Sequence, residues 1–138
     1  MLCLGLSIPV IARDHTDFIK QELAKYEHEL HPSSSEDEEL VRRAVFSVRN
    51  KSVSFERYNT AISTLFTVVQ DVRPAEVIID FRHQHIGCTC QQSMCRHKLG
   101  TLLGIYQYFG SVEEWKARWR AKKSVQLSSL AMERTPES

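Results

Sequence analysis

Cys88-Thr-Cys90-Gln-Gln-Ser-Met-Cys95-Arg-His97 gathers three of the chain's four cysteines and one histidine into ten residues. Three thiolates and one imidazole form the closed tetrahedral donor set that Zn²⁺ prefers. The pattern is C-x-C-x4-C-x-H. Within each pair the ligands stand two positions apart, too close to share one face of a regular helix and too close for an unstrained disulfide. A knuckle that turns back on itself can aim both side chains inward if a metal holds them. Cys88, Cys90, Cys95 and His97 are therefore the expected zinc ligands.

Other readings use fewer of these residues. A disulfide would leave one cysteine of the cluster and the histidine without a role, and it suits a secreted chain. A redox pair would read C-x-x-C, and a Cys/His nucleophilic couple is seldom adjacent in sequence. His83 and His85, just upstream, could compete as ligands, or sit exposed or behind the ligands at a strand end.

Upstream of the cluster, Ile62–Val69 and Ala75–Phe81 are rich in β-branched and aromatic residues, and the turn-like Gln70–Pro74 between them predicts a hairpin. Val77, Ile79 and Phe81 would share one face, with Ile78 and Asp80 on the other. Lys51–Tyr58 is ambiguous, although Val53 and Phe55 alternate. Gly87 loosens the backbone just before the first ligand. Downstream, Leu99, Leu102, Leu103, Tyr106 and Phe109 predict a helix from His97 or Lys98 to about Phe109. Gly100 and Gly104 in it allow close approach to the sheet. The order is strand, strand, metal knuckle, helix: a ββα unit with Cys88 and Cys90 at the strand exit and Cys95 and His97 at the helix start. So small a unit buries too little apolar area alone, and the metal's role is folding.

At this point the chain resembles a known family. Cys88-Thr-Cys90 and Cys95-Arg-His97, after a β-like run and before an apolar helix, resemble the SWIM zinc-binding domain. Gly110-Ser-Val-Glu-Glu-Trp115-Lys-Ala-Arg-Trp119-Arg is similar to the segment after this finger in a bacterial SWIM zinc finger family of the SNF2-helicase-associated type. The likeness covers roughly residues 58–120. It implies a zinc-binding module that contacts DNA or protein, with an SNF2-type ATPase as the implied partner.

The N-terminal part reads as helical. Ile19, Leu23, Tyr26 and Leu30 recur at helical spacing from Asp14 or Thr16 onward, with Thr16 as the expected cap and Pro32 closing the segment. Ser35 and Glu38 form a capping-box signature for a second helix to about Val48, carrying Leu40, Val41, Ala44, Val45 and Val48. These helices predict an αα-hairpin. Met1–Ala12 is apolar but lacks the basic region of a signal peptide, so a buried N-terminal strand or arm and a cytoplasmic location are expected. Cys3 reads as a small buried hydrophobe.

After the expected C′ residue Gly110, Ser111 and Glu114 open a last helix to about Lys123. Its Trp115 and Trp119 are expected to dock on the ββα core. The fold class is thus α+β: an N-terminal helical arm over 1–57, a SWIM-like zinc domain over 58–123, and a polar tail over 124–138.

No apolar run approaches a membrane span. Net charge is only +1, but it is unevenly placed. Residues 1–81 carry nine basic and thirteen acidic side chains, and residues 82–123 carry eight and two. Those eight, Arg82, Arg96, Lys98, Lys116, Arg118, Arg120, Lys122 and Lys123, are the candidate nucleic-acid contacts. A closed ligand set leaves no open metal position, and phosphate-loop, nucleophile-elbow and metalloprotease motifs are absent, so no enzyme is expected. Two function classes emerge: a nucleic-acid-binding module, DNA first, or a protein–protein adapter. A structural module of a longer protein is the third reading.

Overall fold

In the computed structural model, residues 7–122 are described. Among them lie five helices and four strands: α1 (Ile8–Asp14), α2 (Thr16–Glu29), α3 (Ser35–Arg49), β1 (Val53–Asn59), β2 (Thr64–Val69), β3 (Ala75–Asp80), β4 (His85–Cys88), α4 (Arg96–Tyr106), and α5 over residues 112–122. Cys3 and the tail over 124–138 lie outside the described residues.

The α+β class expected from the sequence is what the chain adopts. The sheet is larger than a two-stranded hairpin: four antiparallel strands run in the order β1-β2-β3-β4. Both additions have a physical reason. The alternating Val53 and Phe55 of β1 pair with Val69 and Thr67, which cover the edge of β2. The short β4 folds back on β3, placing Cys88 opposite Val77. Residue 57, the expected end of the N-terminal arm, falls inside β1. Strand β2 begins at Thr64 rather than Ile62, because Asn59 Oδ1 accepts from the N–H groups of Ala61 and Ile62 and bends that segment into a turn.

Period-two burial matches the register. Leu65 faces Ile79, Thr67 faces Val77 and Val69 faces Ala75, all buried, whereas Phe66 and Ile78 look out the other way. Phe81 continues the buried face, as its position in the alternation predicts, and its ring stacks on His15 at 3.9 Å.

Helix α4 lies in the middle, between the sheet on one side and α2 and α3 on the other. Every residue from Leu99 to Tyr106 is buried, so this helix is apolar all round rather than striped. Its two glycines serve different neighbours. A Cβ on Gly104 would come within 3.2 Å of the Phe55 ring on β1, whereas one on Gly100 would meet the Ala44 carbonyl of α3 at 3.5 Å. The sequence predicts close approach to the sheet for both. Only Gly104 makes it.

The helical layer corrects several local expectations. The N-terminal strand or arm is a helix over its described part, α1, with Ile8, Ile11 and Ala12 buried. Thr16 does not cap α2: its hydroxyl donates back to the carbonyls of Ala12 and Arg13, binding α2 to the end of α1. The cap of α3 is Ser34, one residue before the expected Ser35, and its Oγ accepts from the Asp37 N–H at 3.3 Å. Asp37 in turn accepts from the His31 N–H at 2.9 Å, whereas the Ser34 N–H donates to the His31 carbonyl, so the cap is not the reciprocal box expected at Ser35 and Glu38. The stripe Ile19, Leu23, Tyr26 and Leu30 is buried as expected.

Ser111 does cap α5, accepting from the Glu114 N–H. Trp115 and Trp119 are fully buried, as expected, but their indole N–H groups end on α2, at Glu27 Oε2 and the Leu30 carbonyl, both at 3.0 Å. The polar edge of each ring thereby finds a partner in the helical layer. Gly110 is not a left-handed C′ residue, since no described glycine has positive φ. Its role is steric: a Cβ there would stand 2.4 Å from the Tyr106 ring.

That clash is testable. Gly110→Ala forces Tyr106 off its T-shaped contact with Phe109 and should cost about 1–3 kcal/mol in denaturant unfolding. Gly87→Ala, whose Cβ would meet only the His85 side chain at 3.7 Å, should change stability far less.

Candidate metal centre

The four expected ligands converge. One donor atom each from Cys88, Cys90, Cys95 and His97 lies within 4.8 Å of all the others. Local structure places each one. Cys88 ends β4, held in register by β3. Thr89 continues that pairing, its N–H donating to the Glu76 carbonyl and its Oγ1 accepting from the Glu76 N–H, both at 3.0 Å. Gln91 then takes a left-handed φ of 62° and donates to the Cys88 carbonyl, which turns the chain back on itself. Cys95 is the N-cap of α4, and its Sγ accepts from the Lys98 N–H at 3.3 Å. His97 sits in the first turn of that helix. The strand exit and helix start therefore contribute two ligands each.

The donor set fits a zinc ion. A tetrahedral site with metal–sulfur bonds of about 2.3 Å and a metal–nitrogen bond of about 2.1 Å separates sulfur from nitrogen by about 3.6 Å. The Cys88 Sγ to His97 Nδ1 distance is 3.7 Å. The three cysteines are free thiols. Their environments differ: burial pushes Cys95 up to about 12 and raises Cys88. At Cys90 burial also raises the pKa, but the Gln92 N–H, His97 and the neighbouring sulfurs outweigh it and bring it down to about 6. Three thiolates this close repel one another, and a divalent cation removes that cost. Tyr26 of α2 packs beside Cys95, where burial and then the Cys95 charge raise its own pKa.

One member of the site has no signal in the spacing. His97 turns Nδ1 to the sulfurs and Nε2 to Asp71 Oδ2, 3.2 Å away. Asp71 stands in the β2–β3 turn, far in sequence, and reads there as an ordinary turn residue. Its other oxygen accepts from the Val72 N–H at 2.8 Å, and Arg96 also donates to Oδ2. The Val72 N–H, then His97 and Arg96, hold the Asp71 carboxyl down at about 2, so it stays ionised. A carboxylate on the outer nitrogen fixes the histidine tautomer and makes the inner nitrogen a better ligand.

His83 and His85 are not in the cluster. His83 bonds Asp80 on the exposed β3–β4 turn, 2.8 Å from ring Nδ1 to carboxylate, and His85 is exposed at the start of β4.

The candidate nucleic-acid residues are scattered and several are engaged. Arg82 donates to the Ala61 carbonyl, and Arg96 is tied to Asp71. Lys98 is half-exposed on the first turn of α4. Arg120 pairs with Glu38 at 2.7 Å, and Lys122 Nζ donates to the Glu27 carbonyl. The nearby Tyr106 hydroxyl raises the pKa of Arg118, and partial desolvation lowers that of Lys116. Lys123 lies outside the described residues. On α5, Arg120 reaches α3 and Lys122 reaches α2, while Arg118 and Arg120 stay exposed.

The fold and site together define an α+β chain whose Cys₃His cluster could hold a metal ion, with zinc the best match to the donors. Comparison with family models, curated proteins and solved structures gives no match, so the family resemblance rests on the motif alone. No helix among the described residues is long and apolar enough to cross a membrane.

Asp71→Asn should weaken zinc binding about 10–100-fold in a chelator competition, with one zinc per chain still bound at saturation. Cys95→Ser should instead lose the stoichiometric metal and unfold the knuckle.

Proposed function

We propose that this chain is a non-catalytic, SWIM-like zinc module that binds nucleic acid, DNA being the first case to test. The observation that carries the reading is the closed donor set. Four protein ligands lie within 4.8 Å of one another, and a carboxylate backs the histidine. Such a site is built for folding: it staples the end of β4 to the start of α4 and keeps no position for water or substrate. The unit expected from the sequence took Ile62–Val69 and Ala75–Phe81 as its two strands, and in the chain a further strand, β4, stands between the second of these and the knuckle. Arg96 and Lys98 flank a metal ligand in the sequence, and their role in this reading is phosphate contact.

The adapter reading has an observation of its own. A groove of about 720 Å³ runs between β1 and the helices, lined by Val48, Val53, Phe55 and Val112 among others. An SNF2-type ATPase or another protein partner would use such a surface.

Metal content by mass spectrometry beside a salt-titrated binding assay separates the readings. Near one zinc per chain, with DNA affinity falling steeply as salt rises, is the expected result. One zinc with no DNA affinity at low salt would move the function to the adapter. Freshly purified, reduced protein without zinc would remove the basis of both.

A further inference from the structure

Three of the four arginines best placed to meet a polyanion, Arg42, Arg43 and Arg73, are ones that the charge distribution along the sequence passes over, because they sit in its acidic part. Two adjoining clefts, of about 350 and 510 Å³, flank the Asp71 turn and share Arg43, Asp71, Arg96 and His97 as walls. Arg42 lines the first and Arg73 the second. Four guanidinium groups from α3, the β2–β3 turn and the start of α4 thus border one continuous depression. Among the described residues, Asp71 is the only acid in its lining.

The acids nearby orient these arginines more than they consume them. Glu39 takes Arg42 through Nε and Nη2 and Arg43 through Nε, and Asp71 takes Arg96 through Nη2. A guanidinium has five N–H donors in a rigid fork, so each keeps terminal N–H groups outside these bonds. Held by one edge, it presents the other with little entropy left to lose. Arg42 and Arg43 are also more than half exposed, at 56% and 52%.

At one end of the depression stands Phe46, an aromatic ring 58% exposed on α3. The helix's apolar stripe of Val41, Ala44 and Val45 faces the core without it. A row of cationic groups ending on an exposed aromatic face matches a single-stranded nucleic acid, whose phosphates track the charges and whose bases can stack. A duplex matches it less well, since its bases are already stacked.

Resting on the nucleic-acid reading above, we infer that the depression bordered by Arg42, Arg43, Arg73 and Arg96, with Phe46 at its end, is a binding groove for single-stranded nucleic acid. The zinc site adjoins it through Asp71, which holds a metal ligand with one contact and a groove arginine with another. The groove, not α5, is then the binding surface.

The test uses the full zinc-loaded chain and fluorescent 15-nucleotide probes of single-stranded dT, single-stranded U and a mixed-sequence duplex, each titrated with salt. The triple variant Arg42→Glu, Arg43→Glu, Arg73→Glu should reduce the slope of log affinity against log salt by about two on the single strands. Phe46→Ala should weaken them by about fivefold or more at every salt concentration. The variant Arg13→Glu, Lys20→Glu, Lys25→Glu makes the same charge change on α1 and α2 and should leave the slope intact. Unfolding midpoints confirm that each variant folds.

If the native chain binds and both triple variants behave alike, the groove assignment fails while the nucleic-acid reading survives. Duplex preferred over both single strands also overturns it. Polyglutamate competing as well as dT, with Phe46→Ala without effect, would assign the groove to an acidic protein segment instead. A native chain that binds none of the probes overturns the nucleic-acid reading and the groove with it. Preference between dT and U decides only which single strand the groove favours, and either outcome supports it.

Discussion

Three sulfurs and an imidazole held within 4.8 Å of one another impose the constraint that organises this structure. As thiolates they repel one another. A divalent cation would remove that repulsion and join the end of β4 to the start of α4. Helix α4 is driven across the sheet, its fully buried length then needs cover on its far side, and α2 and α3 supply it.

The Cys₃His cluster has contacts beyond its own four residues. Asp71 contacts the outer nitrogen of His97 and the guanidinium of Arg96, so the β2–β3 turn is tied to the cluster by polar bonds alone. Tyr26 approaches from the other side, placing α2 against Cys95. Sheet, helical layer and knuckle are therefore bound through one small region. Charge distribution obeys the same logic. On α5, Arg120 meets Glu38 and Lys122 meets the Glu27 carbonyl. The basic residues on α3 and the turn border open clefts.

Much of the fold is legible in the sequence where local chemistry decides. The ligand set needs only residue type and spacing, and all four members come together. Helical periodicity marks the buried stripe of α2, and β-branched alternation marks β2 and β3. Boundaries fail where a side chain has two backbone options. Ser34 rather than Ser35 caps α3, and Thr16 bonds backwards rather than forwards. Gly110 reads in sequence as a helix terminator on its conformational freedom, whereas its actual requirement is room for a ring four residues earlier.

The sequence by itself determined the metal chemistry, the α+β class and the apolar faces, because each depends on residue type and short-range repeat. Tertiary structure alone decided that four strands form the sheet, that Asp71 stands behind His97, and which arginines border an open cleft. Those outcomes rest on pairs such as Thr89 with Glu76, 13 positions apart, and His97 with Asp71, 26 positions apart. No local pattern encodes such pairs, since a turn aspartate or a helix arginine looks the same in sequence whether its partner is water, an acid or a ligand histidine.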